Sequence, residues 1–132
     1  IAARVVDHDR EFKLTHLSFP GGTLTVPELD AAPGREVRLR IRARDVSLSL
    51  NKPEGLSIQN VLPGTVMEIG AELGDHQFAD LDIRLDVGVP LWVRISRKAV
   101  DELGITPGMN LFALIKGTSI DRQSQMGRRT GS

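Results

Sequence analysis

One short run of the chain carries chemistry suited to a small anion. Lys116-Gly117-Thr118-Ser119 offers an ammonium group, a backbone stripped of its side chain and two hydroxyls, with no carboxylate among them. Successive backbone N–H groups can form an anion-binding concavity, and a glycine lets the backbone approach a ligand closely. Without carboxylates such a site does not suit a divalent cation. Other reactive side chains are scattered. His8, His16 and His76 lack metal-ligand spacing and read as surface or turn histidines. Asp80, Asp82 and Asp86 fall on one polar strand face and read as solvated. No Ser/His/Asp arrangement stands out, and no Gly-x-x-x-x-Gly-Lys-Ser/Thr loop is present to cradle ATP.

The anion-suited run must be positioned by what precedes it. Pro107-Gly108 reads as a tight turn feeding a strand through Ile115. Phe112 and Leu114 alternate with Leu111, Ala113 and Ile115, so both faces are apolar, and such a strand is normally covered on both. The pattern occurs once before. Pro33-Gly34-Arg35-Glu36-Val37-Arg38-Leu39-Arg40-Ile41 aligns with Pro107 to Ile115 without a gap, and Arg42, Ala43 and Val46 fall on Lys116, Gly117 and Ile120. This predicts an internal duplication. Pro followed by Gly suits a type II turn in both copies.

In chain order, Arg4-Val5-Val6 begins a strand that the polar turn Asp7-His8-Asp9-Arg10 breaks. Phe12 to Phe19 and Thr23 to Val26 form a hairpin about Pro20-Gly21-Gly22. Val37 to Val46 is a strand with Arg38, Arg40, Arg42 and Arg44 along one face. Asn51 to Gly55 is a hinge. Strands follow near Ser57 to Ile69, Leu81 to Val87 and Leu91 to Ile95, with a loop from Gly70 to Asp75. Ser96 is placed to cap a two-turn helix from Arg97 to Leu103 that ends at Gly104. Trp92 faces away from Leu91 and Val93. About ten short strands and one helix suggest small barrels, and the duplication suggests two. Strands shared between the halves would remove exposed edges.

Composition narrows the function. The chain has 132 residues and 17 basic against 17 acidic side chains, which argues against a general nucleic-acid or membrane surface. It has no cysteine, hence no disulfide or thiolate site. The four-arginine face is the basis for a nucleic-acid alternative, but no aromatic residue interleaves with it. The opening Ile1-Ala2-Ala3-Arg4 lacks an initiator methionine and reads as part of something longer. Arg122 to Ser132 reads as a mobile polar tail.

Four motifs carry a resemblance: Ser57-Ile58-Gln59-Asn60; Arg94-Ile95-Ser96; Asp101 to Gly108; and Ile115-Lys116-Gly117-Thr118-Ser119-Ile120. With them the chain resembles the Mop/TOBE molybdate-binding family, which comprises the molbindins and the C-terminal accessory domain of the ATPase subunit of bacterial molybdate importers. Ile58 to Gly64 and the less specialised first copy look like the importer subunit. The resemblance implies an all-β fold of tandem five-stranded barrels of the oligonucleotide/oligosaccharide-binding kind, with one short helix in the second half. The halves would be residues 1–55 and 56–121, with a tail at 122–132. It implies a regulatory domain, not itself an enzyme, that binds molybdate or tungstate and mediates dimer contact. ATP would sit only on the missing nucleotide-binding domain. Partners would be a second copy, that ATPase domain and membrane permease subunits, with no nucleic acid, at the cytoplasmic side of the inner membrane. The oxyanion residues carried over are Ser57, Gln59, Asn60, Lys116, Gly117 and Thr118, with Ser96 supplied from a facing copy. The family usually has Arg where this chain has Gln59, and a dimer-bracing domain that binds no anion is the alternative.

Overall fold

The computed structural model describes residues 1–70 and 79–123. Ten strands are present among them: β1 (Ala2–Asp9), β2 (Leu14–Phe19), β3 (Gly22–Pro27), β4 (Glu36–Ile41), β5 (Ser47–Ser49), β6 (Asn60–Ile69), β7 (Asp80–Asp86), β8 (Pro90–Ser96), β9 (Asn110–Ile115) and β10 (Ile120–Arg122). One helix, α1 (Arg97–Leu103), joins β8 to β9, and 3-10 turns follow β4 (Ala43–Asp45) and β9 (Gly117–Ser119). The strands form two antiparallel five-stranded sheets, ordered β10-β4-β1-β2-β3 and β5-β9-β6-β7-β8. This is the tandem all-β architecture expected from the sequence.

The duplication extends to individual hydrogen bonds. Val5 donates to Arg35 O at 2.9 Å and accepts from Gly34 N–H at 2.7 Å; Val66 donates to Met109 O at 2.9 Å and accepts from Gly108 N–H at 2.7 Å. Both sheets carry a β-bulge at the matching place, which pushes Val6 and Met67 out to solvent. The two Pro-Gly turns also match, with φ of 91° at Gly34 and 88° at Gly108. A side chain is strained there, as the type II turn requires.

Alternation builds the core. Thr15, Leu17 and Phe19 of β2 point inward, as do Leu81, Ile83 and Leu85 of β7. One continuous apolar cluster joins Val5, Leu17, Leu24 and Leu39 to Val66, Ile83, Val93 and Ile115. Ile83 is fully buried, so Ile83→Ala would cost about 2–5 kcal/mol. Ser96 caps α1, its Oγ accepting from Ala99 N–H at 3.0 Å, and Gly104 ends the helix in the left-handed region.

Three local expectations need correcting. The first copy's long strand stops at Ile41, because the 3-10 turn Ala43–Asp45 redirects the chain. Only Arg38 and Arg40 therefore share a strand face; Arg42 and Arg44 flank the turn. The segment Asp7 to Asp9 is strand, paired with Leu14 to His16, and the turn comes after it. His8 is half-buried rather than a surface or turn residue: its ring nitrogens meet Thr15 Oγ1 at 2.8 Å and Ala31 O at 2.7 Å. The expected Gly70–Asp75 loop, His76 and most of the tail lie outside the described residues, but Arg122 ends β10 and Gln123 N–H donates to Arg38 O at 2.8 Å.

The halves are interlocked. β5 follows the first copy yet pairs with β9 in the second sheet. β10 follows the second copy yet pairs with β4 in the first. A division at residue 55 therefore separates sequence copies, while each sheet takes four strands from one copy and one from the other.

Candidate oxyanion site

The turn after β9 lies against β3 of the other half. β9 delivers Lys116 at its end, and Gly117 and Thr118 open the 3-10 turn. The turn's own hydrogen bond begins only at Ser119, whose N–H donates to Lys116 O at 2.9 Å. The N–H groups of Gly117 and Thr118 therefore lack partners within the turn. The turn sits close on β3: a Cβ on Gly117 would lie 3.0 Å from Thr25 O.

Asn60 fixes that contact. It is 2 % exposed. Its Oδ1 accepts from Thr25 N–H at 2.7 Å and its Nδ2 donates to Thr25 O at 2.9 Å. The amide thus acts as one more rung of backbone pairing, joining β6 to the outer edge of β3. Both of its polar ends are used in holding the walls of the site together.

Those walls enclose a cavity of about 270 Å³, lined by Leu14, Thr25, Pro27, Ser57, Gln59, Lys116, Gly117 and Thr118. Five of the residues singled out in the sequence thus meet there from segments almost sixty positions apart. Leu14, Thr25 and Pro27 come from the first copy and were not expected; nothing in their local sequence marks them. Ser96 does not line the cavity, and its hydroxyl caps α1. The lining includes one cation, three hydroxyls, one amide and no carboxylate. It can therefore receive a small anion through Lys116 and neutral donors, and it offers nothing to hold a metal cation.

The turn after β4 lies against β8 in the same way. By strand register, the place of Leu14, Thr25 and Pro27 is taken there by Asp82, Trp92 and Arg94. Arg94 grips Asp82 with two bonds, Nε to Oδ1 at 2.8 Å and Nη2 to Oδ2 at 3.2 Å. The Arg94 hydrogen bonds hold the Asp82 carboxyl below the usual carboxylate range and reinforce the arginine's charge. Asp80 belongs to the same face, and Asp86 Oδ1 accepts from Gly88 N–H at 2.8 Å. Among the described residues no group of acids and histidines is arranged to hold a metal ion.

Comparison with known proteins adds the family. The chain is 43% identical over 121 residues to the molybdenum import ATP-binding protein ModC 1 of Azotobacter vinelandii, a match that covers 91% of this chain and 33% of that protein. It is 39% identical over 124 residues to the molybdenum import ATP-binding protein ModC of Rhodospirillum rubrum, covering 92% and 34%. The chain thus spans about a third of the length of these relatives. Its fold matches that of the cytoplasmic molybdate-binding protein ModG, solved with molybdate bound, at a TM-score of 0.74 and 23% identity over 92% of each chain. The family model described as TOBE domain matches residues 56–121. That segment is half of the molecule and carries both Ser57-Ile58-Gln59-Asn60 and the Lys116 turn: the chain belongs to the TOBE domain family.

Proposed function

We propose that the chain is the C-terminal regulatory domain of a molybdate importer's ATP-binding subunit, and that its cavity takes up a tetrahedral oxyanion, molybdate or tungstate. The observation that carries this is the convergence of Ser57, Gln59, Lys116, Gly117 and Thr118 on one cavity without a carboxylate. A dianion leaves water only if charge and hydrogen bonds replace its hydration. Lys116 supplies the charge. The hydroxyls of Ser57, Thr25 and Thr118, the Gln59 amide and the Gly117 and Thr118 N–H groups supply donors. A liquid water occupies roughly 30 Å³, so the cavity has room for a small ion and several waters. Asn60 acts by holding the walls, and Ser96 would reach the ion only from a facing copy.

In this reading ATP binds elsewhere in the longer subunit, and the permease subunits place the assembly at the cytoplasmic face of the inner membrane. No helix among the described residues is long and apolar enough to cross a membrane. The ion regulates transport by favouring one arrangement of two copies over another, which requires a difference in its affinity for the two.

Titration calorimetry of the 132-residue chain with molybdate, tungstate and sulfate tests this. Heat with molybdate or tungstate, lost in Lys116→Ala, is the expected result. No heat from any of the three anions at millimolar concentration overturns it. A second reading, that the domain braces a dimer without binding an anion, is favoured by Gln59, which leaves Lys116 as the cavity's one cation. Dimerisation without anion heat would establish it.

A further inference from the structure

The outward face of β6 and β9 is built in rows. Thr65 faces Asn110 on one side and Asp86 on the other. Pro63, Phe112 and Ser49 form the next row, and Val61, Leu114 and Ser47 the one after. The same alternation carries on to Gln59 and Lys116 at the mouth of the cavity. Along about 20 Å of strand, the face thus runs from a carboxylate, through two apolar rows, to a cation. Phe112, Leu114 and Val61 are half-buried and Pro63 is exposed, and none of the four belongs to the core or to the partly buried residues packed against it. Phe112, Pro63, Asp86 and Leu50 also border an open groove of about 560 Å³ at the carboxylate end.

The first copy supplies an internal control. The positions of Phe112, Leu114 and Pro63 are held there by Arg38, Arg40 and Ala2, all exposed. The same backbone therefore forms with a charged outer face, and folding does not call for apolar rows on the second.

We infer that this face is where a second copy of the chain docks, through an isologous contact that covers the apolar rows and closes the cavity mouth. The pattern is self-complementary. A two-fold axis between the Phe112 and Leu114 rows lays apolar rows on apolar rows, and sets each Lys116 against the Asp86 of the other copy. Closure would exclude water from the cavity and strengthen the hold of its single cation. That last step rests on the proposed oxyanion function; the docking itself does not.

Sedimentation velocity from about 1 to about 100 µM, with and without molybdate, reads the contact directly. The wild-type chain is expected to form dimers. Phe112→Arg with Leu114→Arg, the side chains already borne at Arg38 and Arg40, should weaken the dimer at least about a hundredfold with an unchanged thermal midpoint. Asp86→Lys should weaken it, and adding Lys116→Glu should restore it. If the double arginine variant fails to fold, Leu114→Lys and the Asp86 pair decide alone. A wild-type chain that stays monomeric throughout, or variants that associate as tightly as wild type, overturns the inference. Anion heat from a persistent monomer would overturn the docking and leave the oxyanion reading standing. A Phe112-dependent dimer without anion heat would do the reverse.

Discussion

The turn after β4 and the turn after β9 share one backbone and differ in what lies against them. Around Lys116-Gly117-Thr118 the walls are Leu14, Thr25 and Pro27, short or apolar, and a cavity remains. Around Arg42-Ala43-Arg44 the matching positions hold Asp82, Trp92 and Arg94, and Asp82 is itself an anion gripped by Arg94. A carboxylate near the second turn would repel an incoming oxyanion, whereas nothing in the first cavity competes with one. One geometry can thus serve as a receptor at one end and as a closed joint at the other. The side chains on a neighbouring strand decide which.

The largest test of this contrast is Asn60→Ala. It removes both bonds to Thr25 and should cost about 2–4 kcal/mol, read as a drop in thermal midpoint. The midpoint should not recover with added molybdate if the wall has collapsed. Next comes the cation. Lys116→Ala should lower oxyanion affinity roughly 10- to 100-fold, the worth of one charge-assisted hydrogen bond. Arg42→Ala, at the matching place, should leave affinity unchanged; equal losses in calorimetry would erase the distinction between the two ends. Gly117→Ala should cost about 1–3 kcal/mol, because its methyl would press on Thr25 O. Ala43→Gly should cost no more than about 1 kcal/mol. Comparable losses on denaturant unfolding would show that the two turns are packed alike. The smallest effect concerns acid. The folded-state value of Asp82 is depressed by Arg94, so its contribution is full above the ordinary carboxylate value, about 4. That contribution is lost as pH falls through the lower folded value. Asp82→Asn should therefore flatten the fall of the thermal midpoint below about pH 4, slightly, since the pair is solvent-exposed.

Much of this was legible in the chain. The gapless match of Pro33–Ile41 to Pro107–Ile115 located β4, β9 and both Pro-Gly turns, because strand alternation and turn chemistry are local properties. Ser57, Gln59, Lys116, Gly117 and Thr118 were named beforehand and line one cavity. What local pattern did not reveal depends on distant partners. Arg42 and Arg44 continued the strand's alternation, and only the packing of the next turn on β8 explains why the strand stops short of them. His8 looked solvated because its partners, Thr15 and Ala31, come from other elements. Asn60 carried no sign that its amide would be spent on Thr25, 35 residues away. Leu14 and Pro27 become walls only once β2 and β3 pair.

The crossing of β5 and β10 has a consequence for how such chains can be shortened. Residues 56–121, the stretch that matches the family model, would lack the small strand that finishes their own sheet. They would also carry one whose mate is gone. A protein made of a single copy could satisfy both needs only by trading these end pieces with another molecule. Tandem fusion turns that trade between molecules into a knot within one, so the doubled chain reaches by itself what a lone copy would have to assemble.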